Sequence, residues 1–185
     1  MTRQRTRVLS PRALLAHRRS VRSFAPVADL DAEVVILGSM PGVASLAAGR
    51  YYAHPRNLFW PIMASVLGFD PAVAYESRLA HVVAARIALW DVVRSCIRAG
   101  SLDASIERPL PNDFARFFRT HGRIQRVFFN GAKAEALYRR LVLPSLPTGP
   151  ITYVRLPSTS PANAAQPFER RLQAWREVRG LVARG

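Results

Sequence analysis

Val34-Val35-Ile36-Leu37-Gly38-Ser39-Met40-Pro41-Gly42 is the stretch that decides the fold. Val34 to Leu37 is an unbroken apolar run of the kind a parallel strand carries when both of its faces are buried. Gly38 to Gly42 then break the run, and a Gly-x-x-Pro-Gly sequence after a buried strand reads as a tight loop at the carboxyl end of a sheet. Open α/β sheets hold their ligands at that edge. The loop runs on through Tyr51-Tyr52-Ala53-His54-Pro55-Arg56-Asn57-Leu58-Phe59-Trp60, where polar groups and aromatic rings are interleaved. A pocket that stacks a flat heterocycle and hydrogen-bonds its edge calls for these residue types.

Three more strands are expected, Ile87 to Trp90, Ile124 to Phe129 and Ile151 to Leu156. Between and after them, Leu58 to Leu67, Ala72 to Val83, a segment opened by Asn112 or Asp113, Ala132 to Leu141 and Pro167 to Val182 read as helices. Pro61 is tolerated in a first helical turn, and Gly68 ends that helix. Val92 to Ala99 is expected to be a further helix, with Asp91 read as its N-cap in preference to a catalytic acid, and Ser101 to Pro111 a loop. Phe114, Phe117 and Phe118 lie at helical spacing, which assigns them to the core. The alternation predicts a three-layer α/β/α sandwich around a mostly parallel, four-stranded sheet. Polar clusters follow three strand ends, at Gly38–Asn57, Asn130-Gly131 and Ser158–Asn163, and a parallel sheet brings such ends to one edge.

The 185 residues suit one domain, and a hydrophobic content of 49% is enough to build its core. With 27 Lys and Arg against 12 Asp and Glu, the formal net charge is +15, which favours a polyanionic partner, nucleic acid first. Lys133 is the only lysine. Residues 1–23 carry seven arginines and no acid and read as a basic, flexible arm, either a phosphate attractor or simply a disordered start. Residues 24–185 form the single domain. Cys96 is the only cysteine, which rules out an intramolecular disulfide or a cysteine-ligated cluster within one chain. No metal-ligand spacing and no Walker-type loop is present, Ser39 and Ser45 lack a His/Asp pattern, and no cofactor is expected. No apolar span reads as a membrane helix or a secretory core, so a cytoplasmic, nucleoid-associated monomer is expected.

Gly-Ser-Met-Pro-Gly, Ser45-Leu46 and Tyr-Tyr-Ala-His-Pro-Arg-Asn-x-Phe-Trp together resemble motif 1 of the uracil-DNA glycosylase superfamily, most closely its hypoxanthine-DNA (deoxyinosine) branch. Leu156-Pro157-Ser158-Thr159-Ser160-Pro161-Ala162-Asn163 resembles motif 2. The resemblance spans roughly Val34 to Trp175. It implies a cofactor-independent hydrolase that removes a deaminated base, hypoxanthine first, from DNA. A mismatch-type uracil or thymine glycosylase and a non-catalytic nucleic-acid-binding module are the alternatives.

Within this resemblance Asn57 matches the residue that positions water. Its amide can accept from water and donate to substrate, although Asn is also a favoured helix cap. Met40 stands where relatives carry Asn or Asp and offers no polar side chain, which enlarges the role left to Asn57. Gly38, Ser39, Met40, Pro41, Gly42, Tyr52, His54 and Asn130 are the expected base pocket. Tyr52 matches the ring that stacks on the flipped base. Asn130 either reads the base edge or turns the chain with Gly131. Ser45, Ser158, Ser160, Pro161, Ala162 and Asn163 are the expected DNA contacts. Classical uracil enzymes have a His at Ser158 and a bulky wedge at Ala162, so a preference for distorted or mispaired sites is expected.

Overall fold

Val34–Gly38 is buried along its whole length and forms the strand around which the others assemble. The computed structural model describes residues 19–179 apart from 99, 101–104, 148 and 164–165. We number the strands β1 (Arg19–Arg22), β2 (Val34–Gly38), β3 (Ile87–Asp91), β4 (Val93–Arg98), β5 (Glu107–Pro111), β6 (Arg126–Asn130) and β7 (Thr152–Leu156). The helices are α1 (Val43–Ala48), α2 (Phe59–Leu67), α3 (Tyr75–Ala84), α4 (Phe114–Thr120), α5 (Ala132–Leu141) and α6 (Phe168–Trp175).

The main sheet has the order β3-β2-β6-β7, and every pairing in it is parallel. Side chains alternate across a strand, so β2 feeds two cores. Val35 and Leu37 pack with Phe129, Tyr138, Phe114 and Phe117 beneath α4 and α5. Val34 and Ile36 pack with Phe59, Trp60, Phe128 and Trp175 beneath α2, α3 and α6. This is the expected three-layer sandwich, and Phe114, Phe117 and Phe118 lie in or against its core. Leu172, Trp175 and Val178 are buried as expected, but the last helix ends at Trp175 and a 3-10 turn covers Arg176–Val178. The part expected beyond residue 179 lies outside the described residues.

Four expectations are corrected. Val93–Arg98 is a strand and not a helix, so Asp91 ends β3 and is no helix N-cap. The expected loop contains β5, and β1-β4-β5 form a second, antiparallel sheet. The pattern Val93, Cys96 and Arg98 buried is too irregular to be read from the sequence, because the β4–β5 register shifts around Ser95. The long-range pairing Arg19↔Arg98 to Arg22↔Ser95 supplies the ladder that local propensity does not predict. The same pairing corrects the arm: Arg19–Arg22 belongs to the domain, while residues 1–18 lie outside the described residues. Finally, the loop after Gly42 carries a short helix, α1, which the sequence reading lacked.

Candidate active site

At the carboxyl edge of the sheet lies a cavity of about 860 Å³. Every residue singled out from the sequence lines it: Gly38 to Gly42, Ser45, Tyr52, His54, Asn57, Asn130, Ser158, Ser160, Pro161, Ala162 and Asn163. Arg56, Asp91, Arg155 and Thr159 also line it and were not foreseen as site residues. The volume is in the range of small-ligand sites and exceeds what a nucleobase alone would fill.

Gly38 and Asp91 are register partners at the ends of β2 and β3. A Cβ on Gly38 would lie 2.5 Å from Asp91 Oδ1 and 3.5 Å from the Tyr52 hydroxyl. A side chain at 38 would displace the Asp91 carboxyl group, so glycine keeps that space open. The chain crosses this point under the bonds Val92 N–H to Gly38 O (2.8 Å) and Val93 N–H to Ser39 O (3.0 Å). Arg98, buried, donates to Pro41 O at 2.5 Å and ties the second sheet to the loop.

Tyr52 has φ +55°, in the left-handed region that costs a residue with a Cβ. One face of its ring stacks on Phe59 at 3.7 Å with an interplanar angle of 17°. Burial, then the Asp91 charge, pushes its phenol above the ordinary range, so it stays a neutral hydroxyl. Burial followed by Asp91 does the same to Tyr51, whose hydroxyl donates to Ala25 O at 3.2 Å.

Asn57 touches both the start of α2, whose N-cap is Leu58, and the cavity. Its Oδ1 accepts from Phe59 N–H at 3.0 Å and so opens α2, yet the side chain lines the cavity. A carbonyl oxygen keeps a second lone pair, and the NH2 group remains available. His54 shapes this loop: Nδ1 accepts from Arg56 N–H at 3.1 Å, and its carbonyl accepts from Asn57 N–H at 2.8 Å. Ser45 is buried, with Oγ accepting from Ala53 N–H at 3.2 Å, so it braces the loop from within.

Thr159 is fully buried and joins three segments. Its carbonyl accepts from Leu58 N–H at 3.1 Å. Its N–H donates to Asn130 Oδ1 at 2.8 Å, and its Oγ1 accepts from Asn130 Nδ2 at 2.9 Å. Both ends of the Asn130 amide are thus engaged by the Ser158–Asn163 loop. Gly131, at φ +98°, lets that loop close, since a Cβ there would come within 2.8 Å of Ser158 Cβ. Ser158 Oγ accepts from Ser160 N–H at 3.2 Å, and Ser160 Oγ from Ala162 N–H at 3.3 Å. Asn163 Nδ2 donates to Ser158 O at 3.1 Å, buried Arg171 donates to Asn163 O, and Trp175 Nε1 donates to Pro157 O at 2.9 Å. The loop is thus held by its own hydrogen bonds and by bonds from α6. Ala162 is exposed at its tip.

Cations flank the opening. Arg56 is exposed, and Arg155 is exposed while lying 3.5 Å from Glu135. Among the described residues no group of three or more His, Cys, Asp or Glu is placed to hold a metal ion, and no helix is long and apolar enough to cross a membrane.

A parallel sheet whose strand ends gather aromatic, amide and carboxylate groups into one cavity, with exposed cations beside it, is the arrangement of an α/β ligand site. The family model of the uracil DNA glycosylase superfamily matches residues 25–179, and the chain belongs to that superfamily. Proteins named hypoxanthine DNA glycosylase from Methanosarcina barkeri and Methanosarcina acetivorans are each 36% identical over 114 residues, covering 61% of this chain and 72% of theirs. A solution NMR structure from Methanosarcina acetivorans, described as a candidate uracil DNA glycosylase, superposes with a TM-score of 0.73 at 30% identity, covering 86% of this chain and 99% of the other.

Proposed function

We propose that this protein is a monofunctional DNA glycosylase that hydrolyses the N-glycosidic bond of a deaminated base, hypoxanthine first, without a cofactor. The observation that carries the reading is the convergence of Tyr52, Asn57 and the Asn130–Thr159 link on one cavity bounded by two loops. The similarity to the two proteins named hypoxanthine DNA glycosylase supports the choice of base.

The base leaves the stack and enters the cavity. The free face of Tyr52 receives it, while Phe59 holds the other face. As the C1′–N bond lengthens, positive charge grows on the sugar and negative charge on the base. Backbone N–H groups of the Ser39–Gly42 loop suit the developing anion, the task of an oxyanion-type site. Asn57 aims a water at C1′, with Phe59 N–H fixing the plane of its amide. No lysine lines the cavity, which supports hydrolysis over an amine-nucleophile lyase route. Ser158 to Asn163 approach the DNA backbone, and Arg56 and Arg155 attract its phosphates. Action as a monomer in the cytoplasm, beside the nucleoid, accords with the basic charge.

A panel of duplexes carrying hypoxanthine, uracil, xanthine or ethenocytosine, under enzyme excess, tests the reading. An alkali-labile abasic site should form fastest at hypoxanthine. Fastest cleavage of mispaired uracil would assign the protein to the mismatch type, and binding without any abasic product would make it a non-catalytic module.

A further inference from the structure

Arg98, the last residue of β4, is only 3% exposed. Its Nη2 donates to Pro41 O at 2.5 Å, while Nε and Nη1 have no hydrogen-bond partner. None of the ion pairs among the described residues includes it. An arginine keeps its charge at any working pH, and burying a charge without a counter-ion is costly. An arginine retained only to knit two sheets together would spread its donors over several acceptors. This one directs its single bond to a carbonyl in the loop that follows β2.

The peptide unit that carries this carbonyl also carries the Gly42 N–H. No peptide bond among the described residues is cis, so the C=O and N–H of the Pro41–Gly42 unit point in opposite directions. Pro41 and Gly42 line the cavity, whereas Arg98 does not. The carbonyl therefore turns away from the cavity toward the guanidinium, and the N–H turns to the cavity side, where it meets no backbone acceptor among the described residues. A cation bonded to a peptide oxygen polarises the unit and strengthens its N–H as a donor. We propose that Arg98 is a positioning residue for base excision: it holds the Pro41–Gly42 peptide with the Gly42 N–H facing the departing base, and its buried charge offsets the negative charge that grows there. This rests on the hydrolytic reading given above. The C1′–N9 bond breaks with its electron pair leaving on the base. The water oxygen bonds to C1′ and loses its proton to solvent, and the base anion takes a proton from solvent. Arg98 gives up no proton at any stage and acts only through the peptide.

Arg98→Met keeps much of the stem and removes the charge. Single-turnover excision of hypoxanthine, or of whichever base the panel shows to be excised, should fall by roughly tenfold to a hundredfold in R98M, at or below the loss from deleting a direct oxyanion donor. Affinity for an abasic-site duplex should stay within about threefold, since that ligand carries no departing base. Excision by folded R98M within about threefold of wild type overturns the proposal. The peptide itself gives a second arm. Gly42 has φ −68°, an angle that proline shares, so Gly42→Pro deletes the N–H while keeping that angle. G42P should excise roughly a hundredfold more slowly than Gly42→Ala, which retains the N–H. Equal rates in folded G42P and G42A refute the proposal even where R98M does not fold. Crossing the two substitutions separates positioning from mere support. In the G42P background R98M should cost no more than about threefold, because the donor through which Arg98 acts is gone. An R98M loss of the same size in both backgrounds makes Arg98 structural and ends the proposal. Should wild-type protein excise no base of the panel, the hydrolytic reading fails and takes this proposal with it; wild-type excision matched by R98M sinks this proposal alone.

Discussion

Asn130→Ala is the substitution for which the structure and the sequence make different forecasts. Read from sequence as a base-reading amide, Asn130 should be removable at little cost to the fold. In the structure its Oδ1 takes the Thr159 N–H at 2.8 Å, and its Nδ2 donates to Thr159 Oγ1 at 2.9 Å, with Thr159 fully buried. Truncation to Ala leaves a buried N–H and a buried hydroxyl without these partners. An orphaned buried polar group costs about 1–3 kcal/mol, and the N–H is the larger loss, so about 2–4 kcal/mol is expected in all. For a chain of this size each kcal/mol lowers Tm by about 2–4 °C, which gives a drop of roughly 4–16 °C. Asn130→Asp should be far milder, because a carboxylate still accepts from the N–H and the Thr159 hydroxyl can turn to donate. Differential scanning fluorimetry of N130A, N130D and wild type at one pH and salt decides the matter. An N130A protein that melts within about 2 °C of wild type would refute the strut and return the amide to the base.

Asn57→Ala should lower single-turnover excision by roughly a hundredfold with duplex affinity retained, while losing about 1 kcal/mol of stability through the Phe59 N–H; cleavage near wild type in folded protein would leave Asn57 as a cap alone. Affinity for undamaged duplex should fall steeply with added salt; removing residues 1–18 should flatten that slope, and a slope unchanged by the deletion would remove the arm from DNA binding. Extending the deletion through Arg22 strips an edge strand from the second sheet and should lower Tm as well. Gly131→Ala should destabilise the protein measurably, because the residue sits at φ +98° with Ser158 Cβ only 2.8 Å from the added methyl; equal melting curves would show that the loop yields.

What was legible in the sequence follows from physics that acts locally. The run Val34 to Leu37, short, rich in β-branched residues and ended by Gly38, reads as a strand covered on both faces, and Ala132 to Leu141 carries a helical pattern from end to end. The parallel sheet then placed Gly38, Asn57, Asn130 and Ser158 at one edge without further information. The second sheet was hidden because its pairing is long-range, with β1 separated from β4 by the whole first half of the domain, and because a register shift at Ser95 spoils the period. Asp91 was hidden for the same reason. Taken for the start of a helix it looks like a cap, and only the strand that follows it turns its carboxyl group toward the cavity. Thr159 stood in plain view within motif 2, but nothing in a lone threonine tells which amide it will hold.

The junction at Thr159 has a consequence for how such a protein can change over time. Because one residue satisfies Leu58, just after Asn57, and Asn130, at the end of β6, substitutions in these loops are coupled and their effects need not add. A replacement at 130 that suits a new base is filtered first by what Thr159 tolerates, and a replacement at 159 shifts the start of α2 and with it Asn57. Drift to a new base preference is therefore expected by paired exchanges rather than single steps. In a graft of specificity between relatives, Asn57, Asn130 and Thr159 have to be transplanted as one set.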